Sequence, residues 1–73
     1  MMKYVVSDQD EVAIGRGVFH KDLAHGFKGR VIAAGYCAID AASVAVSGKS
    51  EGFGIPAQPE DAVRLEKLLR ESH

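Results

Sequence analysis

Residues 30–39, Arg-Val-Ile-Ala-Ala-Gly-Tyr-Cys-Ala-Ile, limit the possible folds of this chain more than any other segment, because they are almost continuously apolar. Such a run is typical of a β-strand covered on both faces, although its periodicity is equally compatible with a segment of buried helix. In a chain of 73 residues, a strand of this kind needs other elements on both sides before its side chains leave water. The run therefore favours a layered fold built around a central strand.

Three shorter segments supply further strands. Residues 3–7 (Lys-Tyr-Val-Val-Ser) and 11–16 (Glu-Val-Ala-Ile-Gly-Arg) have the composition of strands, and Asp-Gln-Asp at 8–10 has turn chemistry. We therefore expect a hairpin at the beginning of the chain. Residues 43–47 (Ser-Val-Ala-Val-Ser) are predicted to return as a fourth strand, with both valines on one face.

Two helices are expected to cover this sheet. Residues 19–27 predict a short helix with one apolar stripe at intervals of four. That stripe consists of Phe19, Leu23 and Phe27. A second helix is predicted to begin at Pro59, since proline is favoured at the first helical position. Its buried stripe consists of Ala62, Leu65, Leu68 and Leu69. The order β-β-α-β-β-α predicts an α+β fold with helices packed on a sheet, forming a single domain over residues 1–73.

Composition and charge exclude several classes of protein. The net charge of −1 comes from acidic and basic residues mixed along the chain, whereas nucleic-acid binding needs clustered Lys and Arg. No apolar run is long enough to cross a bilayer, and the first residues lack the apolar core of a signal peptide. We therefore expect a cytoplasmic protein that binds neither nucleic acid nor membrane.

The single cysteine also limits the chemistry. Cys37 has no second thiol for an internal disulfide, and no Cys/His set has the spacing of a zinc site. Within an apolar strand it is expected to act as a small buried hydrophobic residue. His25 follows His20 by five residues, so the two do not share a helix face and make a poor metal pair. The sequence predicts no metal and no cofactor.

A glycine-rich loop at residues 48–54, Gly-Lys-Ser-Glu-Gly-Phe-Gly, follows the fourth strand directly. Such a loop allows backbone N–H groups to approach an anion. It is not a P-loop, because Ser43 stands where that motif has its first glycine and prolines precede the next helix. The loop predicts a small phosphate-sized pocket of another type.

His20 is the candidate catalytic residue, at or near the beginning of the first helix. The positive end of a helix dipole favours a neutral imidazole, which can accept a phosphoryl group or act as a general base. The alternative is that His20 is only a surface residue beside the core residue Phe19.

Three patches of the sequence together resemble the Janus/ocnus family, the protein phosphohistidine phosphatases. Residues 2–5 (Met-Lys-Tyr-Val) resemble the first family strand, which has an aromatic-Lys-Tyr-Val sequence. Residues 19–23 (Phe-His-Lys-Asp-Leu) resemble the family motif aromatic-His-x-Asp-hydrophobic. Residues 48–54 resemble its Gly-Tyr-Ser-x-x-Tyr-Gly loop. The order of the patches and the helix after the third also agree with the family.

The resemblance implies a role for individual residues. His20 takes the place of the catalytic base or nucleophile, and Lys3 that of the substrate-binding lysine. Ser50 and Gly52 take the places that bind the phosphoryl group through the hydroxyl and backbone N–H groups. A family arginine that follows a glycine pair corresponds to Arg30, provided that an insertion precedes the loop. Lys49 replaces an aromatic residue and restores positive charge, while Glu51 adds a negative charge to the loop.

These observations leave three functional hypotheses. The first is a metal-free, phosphohistidine (phosphoramidate) phosphatase-like enzyme that acts on a phosphorylated protein or a small phosphate ligand. The second is a non-catalytic interaction domain, expected to be a homodimer because a chain of 73 residues builds only a thin core. The third is a small-anion binder without turnover.

Overall fold

The computed structural model describes residues 2–40, 43–50 and 52–71. In chain order its elements are β1 (Met2–Ser7), β2 (Val12–Gly15), α1 (His20–Leu23), a 3-10 turn (Ala24–Gly26), β3 (Val31–Asp40), β4 (Ser43–Ser47), β5 (Lys49–Ser50), β6 (Ile55–Pro56) and α2 (Asp61–Glu71). The predicted α+β class and the order β-β-α-β-β-α are confirmed. The glycine loop adds one feature to that order, because β5 and β6 form a small sheet of their own.

The four long strands form one antiparallel sheet in the order β2-β1-β3-β4. The apolar run is a strand, the first of the two conformations that its pattern allows, and it lies in the interior of the sheet. It is not covered along its whole length, because its far end, including Ile39, is exposed. Ile32 near its beginning is exposed as well. Two small helices do not span a strand of ten residues.

The helices lie on opposite faces of the sheet. Tyr4 and Val6 of β1 pack with Cys37 of β3 and with Leu65 of α2, which makes this face the main core. Lys3 and Val5 alternate with them along β1 and therefore point to the other face, where α1 lies. Cys37 is buried, as predicted, and burial raises the pKa of its thiol.

The first helix is shorter than predicted, and both phenylalanines of the predicted stripe lie outside it, Phe19 before α1 and Phe27 after the 3-10 turn. Phe19 has extended backbone angles (φ −82°, ψ 154°) immediately before the first helical residue, and its side chain is 73% exposed. A periodicity of four has no meaning outside the helix, so Phe19 does not share an apolar face with half-buried Leu23. Its N–H donates to the Asp22 carboxylate at 3.3 Å, which holds the beginning of α1.

The second helix begins at Asp61, two residues later than predicted, and the Asp61 side chain is fully buried. Its Oδ2 accepts hydrogen bonds from the Tyr4 hydroxyl at 2.6 Å and from the Gln58 N–H at 2.8 Å. Burial, with the neighbouring carboxylate, raises the pKa of Tyr4 well above its usual range, so this phenol acts as a donor. In the predicted stripe Leu65 is fully buried, whereas Leu68 is 38% exposed.

A carboxylate joins the first hairpin to the segment that enters β3. Glu11 accepts N–H groups from Lys28 and Gly29, both at 2.7 Å, and the Ser7 hydroxyl at 2.7 Å. These hydrogen bonds lower the pKa of Glu11, and the bond from the Lys28 N–H has the largest effect. A β carbon at Gly29 would meet the Asp8 carboxylate at 2.5 Å, so the close approach requires glycine.

We expect Glu11→Gln to make the stability of the domain less dependent on acidic pH. Because the folded pKa of Glu11 lies below its ordinary value of 4.5, its charge stabilises the fold above that value, and the contribution is lost as pH falls through the folded pKa. Urea unfolding measured from about pH 6 to pH 3 should show that the unfolding free energies of the wild type and the variant converge as the pH falls. Glu60→Gln, at an exposed carboxyl, is the matched control and should remain parallel to the wild type.

Candidate functional site

A cavity of about 430 Å³ opens on the face of the sheet that carries α1. Its lining consists of Lys3, Phe19, His20, Lys21, Tyr36, Ser50 and Gly52. The lining comes from β1, β3, the beginning of α1 and the glycine loop. In sequence these segments extend from Lys3 to Gly52. The site is therefore a product of the tertiary structure.

The sheet register places the first part of the site. Lys3 on β1 lies directly opposite Tyr36 on β3, and directly opposed residues point to the same face. On its other side Lys3 lies opposite Gly15 of β2. A β carbon at Gly15 would meet the Leu23 side chain at 2.7 Å. This glycine lets α1 pack closely against the strands that carry Lys3.

His20 is the first residue of α1 and only 7% exposed. Its Nε2 lies 2.8 Å from the backbone oxygen of Gly35. A carbonyl oxygen only accepts, so Nε2 carries the proton and donates it. The ring is also edge-on to Tyr36, with centroids 5.5 Å apart and planes at 84°. In neutral His20 the lone pair is therefore on Nδ1, and a backbone group, rather than the dipole of a helix of four residues, orients the imidazole.

Gly35 is required where it accepts this bond. A β carbon there would lie 2.7 Å from the Ser47 carbonyl oxygen and 2.9 Å from the Ala57 β carbon. Both distances are too short, and one neighbour is backbone that cannot rotate away. The chain after β4 thus packs directly on β3 at the point where β3 orients His20.

Two lysines supply positive charge. The Lys3 ammonium lies 5.3 Å from the centroid of the Phe19 ring, within the range of a cation–π contact. Exposed Phe19 is therefore a wall of the pocket and not part of the core. The Lys21 Cε lies 3.8 Å from the position that a β carbon of Gly52 would occupy, so its aliphatic chain runs along the glycine loop. No carboxylate is among the described residues of the lining.

The loop itself is a tight turn closed by Ser50. The Ser50 carbonyl accepts the Gly54 N–H at 2.7 Å, and the Ser50 hydroxyl oxygen accepts the Phe53 N–H at 3.4 Å. Gly54 has φ +67°, a conformation in which glycine is favoured. Ser50 is fully buried, but it lines the cavity. Among the described residues the Ser50 hydroxyl accepts a hydrogen bond and donates none, so its proton faces no described acceptor.

Four of the six predicted site residues line this cavity, namely Lys3, His20, Ser50 and Gly52. The other two are elsewhere. Arg30 is exposed beside the first hairpin, where its N–H donates to the Asp8 carboxylate at 3.0 Å. Lys49 is exposed and precedes inward-facing Ser50 on β5, so alternation directs its side chain outward. Glu51 lies outside the described residues.

Sequence reasoning missed four contributors, namely Lys21, Tyr36, the carbonyl of Gly35, and Phe19, which was predicted to be a core residue. Lys21 adjoins His20, and a lysine beside a candidate catalytic histidine was a signal that could have been followed. Tyr36 and Gly35 lie inside the apolar run. Their proximity to the site depends on the pairing of β1 with β3, for which the run contains no signal.

Within residues 2–40, 43–50 and 52–71, no group of three or more His, Cys, Asp or Glu side chains could hold a metal ion. Across the same residues, neither helix has the length and apolar character needed to cross a membrane.

The resemblance to the phosphohistidine phosphatases remains a prediction that rests on the residues themselves. Comparison with protein-family models, with curated proteins and with solved structures found no match to this chain.

Proposed function

We propose that the cavity binds a phosphoryl group and that the domain is a metal-free phosphatase acting on phosphohistidine-like phosphoramidates. The supporting observation is the convergence of Lys3, Lys21, Ser50 and His20 on one cavity. Two cations, a hydroxyl donor and a buried imidazole are the groups that phosphoryl binding and transfer require. They come from three segments that are distant in sequence.

Each group has a distinct task in binding. Lysines act as point charges toward phosphoryl oxygens, and the two ammonium groups approach from the β1 side and the loop side. The Ser50 hydroxyl donates a hydrogen bond to an oxygen. A cavity of about 430 Å³ leaves space beside the phosphoryl group for the side chain or small molecule that carries it. Exposed Phe19 lines the cavity and offers an apolar contact to that side chain or small molecule.

His20 supplies the chemistry. With Nε2 bonded to the Gly35 carbonyl, Nδ1 either attacks phosphorus or takes a proton from an attacking water. In the second case the water oxygen forms the new P–O bond, the P–N bond breaks, and the leaving nitrogen is protonated. If Nδ1 attacks phosphorus, the new P–Nδ1 bond forms as the substrate P–N bond breaks, and the substrate nitrogen leaves protonated. Water then attacks the phosphorylated His20, the P–Nδ1 bond breaks, and phosphate and the free imidazole are released. Lys3 and Lys21 stabilise the charge on the equatorial oxygens.

Inorganic phosphate is the direct probe of the binding step. We expect Lys21→Met and Lys3→Met each to weaken phosphate binding roughly tenfold, as for loss of one hydrogen bond to a charged group. The measurement is an NMR titration that follows the amides of Ser50 and Gly52 and the His20 ring. Lys49→Met removes an exposed lysine from the same loop and is the matched control, with affinity expected within about twofold of wild type.

The titration also separates the hypotheses. Coordinated shifts of the loop amides and the His20 ring establish the pocket, after which hydrolysis assays distinguish an enzyme from an anion binder. Absence of shifts at millimolar phosphate would contradict the proposal. Equal losses for Lys49→Met and Lys21→Met would contradict the assignment of the second cation.

A further inference from the structure

The two edges of the sheet differ in a way that bears on assembly. β2 has four residues, ends at Gly15 and is flanked by Glu11 and Arg16. Short strands and nearby charges are features that protect an edge from pairing with another chain. β4 has five residues, Ser-Val-Ala-Val-Ser, and no charged residue occurs between 41 and 48. Its composition contains none of these protective features.

The backbone groups that β4 directs outward can be identified. The Val44 N–H donates to the Glu66 carboxylate of α2 at 3.3 Å, so it does not point toward β3. Because N–H and C=O directions alternate along a strand, the groups of Val46 also point outward. Ser43, Ala45 and Ser47 direct theirs to β3, with which they pair. The edge therefore presents two N–H and two C=O groups, all on the two valines.

The sequence of this edge reads the same in both directions about Ala45. We infer that two copies of the chain pair through antiparallel β4 strands about a two-fold axis at Ala45. In that register the outward groups of Val44 meet those of Val46 of the second copy, and the reverse pair is equivalent by symmetry. Four backbone hydrogen bonds form, and the two four-stranded sheets become one continuous sheet.

Side chains fit the same register. Each valine faces a valine of the second copy and each terminal serine of β4 faces a serine, which are favourable cross-strand pairs. Ala45 is exposed. It faces Ala45 of the second copy across the axis, where two small side chains are accommodated. An axis perpendicular to the sheet keeps both α2 helices on one face. Val63, which is 65% exposed, lies three residues from Glu66 on the side of α2 that reaches β4.

Glu66 is the group that pairing must displace. It satisfies only one of the four outward groups, through a long bond of 3.3 Å. Its other partner is Arg70 of the same helix at 3.8 Å. On pairing, a carbonyl of the second copy replaces the carboxylate at the Val44 N–H, and Glu66 keeps its ion pair with Arg70. None of the β4 residues is among those that line the His20 cavity, so the pairing does not depend on the proposed function.

The test uses the residue on the axis. Sedimentation of the wild type at micromolar and millimolar concentration should show twice the chain mass of 7.8 kDa. Ala45→Lys and Ala45→Glu each place two like charges directly opposite one another, so each variant alone should be monomeric. A mixture of the two should restore the dimer, because Lys then faces Glu. Gln9→Lys, in the exposed turn of the first hairpin, is the charge-matched control and should dimerise as the wild type does.

Three results would overturn the inference: a monomeric wild type over the whole range, a dimer that Ala45→Lys leaves intact, or monomeric variants that the mixture does not rescue. Dispersed amide spectra establish that the variants are folded. Amide exchange of the wild type is an independent readout that needs no variant. The Val46 N–H should be protected from exchange in the dimer, and fast exchange of this N–H at every concentration tested also overturns the pairing.

Discussion

Replacing His20 with alanine is expected to lower the rate of phosphoramidate hydrolysis at least about a hundredfold, the range lost when a general base is removed. Phosphate binding should change much less, because Lys3, Lys21 and Ser50 remain. The reason lies in the geometry of the ring: Nε2 is committed to the Gly35 carbonyl at 2.8 Å, and Nδ1 is the only nitrogen left for chemistry. Turnover by single-substrate assay and affinity by phosphate titration separate the two effects.

His20→Gln sharpens this test. The glutamine amide can still donate to the Gly35 carbonyl but offers no basic nitrogen, so we expect the same loss of turnover with better retention of the fold. His25→Ala is the matched control, since His25 lies on the 3-10 turn and is exposed. Unchanged turnover in His20→Ala would remove His20 from the mechanism even if phosphate binds. Binding with no hydrolysis by the wild type would instead identify an anion-binding domain.

Leu65→Ala is expected to leave much of the protein unfolded. Leu65 is fully buried among Tyr4, Val6, Cys37 and Val44, and Leu→Ala at such positions costs about 2–5 kcal/mol. A core of this size supplies roughly 3–5 kcal/mol of net stability. The cost and the total are therefore of the same size. Urea unfolding followed by circular dichroism gives the difference directly.

Leu68→Ala is the matched control on the same helix. Leu68 is 38% exposed, so we expect a loss of about 1 kcal/mol or less. The sequence predicts both leucines in one buried stripe, whereas the structure separates them. Equal losses for the two variants would support the stripe and contradict the placement of α2 on the sheet.

Much of the fold can be predicted from the sequence, because local interactions determine these elements. The alternation and turn residues of the first 16 residues predict the hairpin, and β-branched content predicts β4. The departures occur where an interaction with distant residues overrides the local pattern. The Tyr4 hydroxyl, 57 residues away in sequence, donates to the Asp61 carboxylate in the interior, so the burial of Asp61 depends on a residue outside its own segment. Phe19 matches a helical stripe but precedes the helix.

The candidate site divides in the same way. Residue type alone pointed to His20 and to a glycine loop with Ser50, because imidazoles and flexible donor-rich loops are the groups that phosphoryl chemistry uses. Which cations join them was decided by the tertiary structure. Pairing of β1 with β3 sets Lys3 opposite Tyr36, beside His20, and the Lys21 chain runs beside Gly52. Arg30 is beside the first hairpin instead, because strand register, which no single segment encodes, assigns each side chain to a face and an end of the sheet.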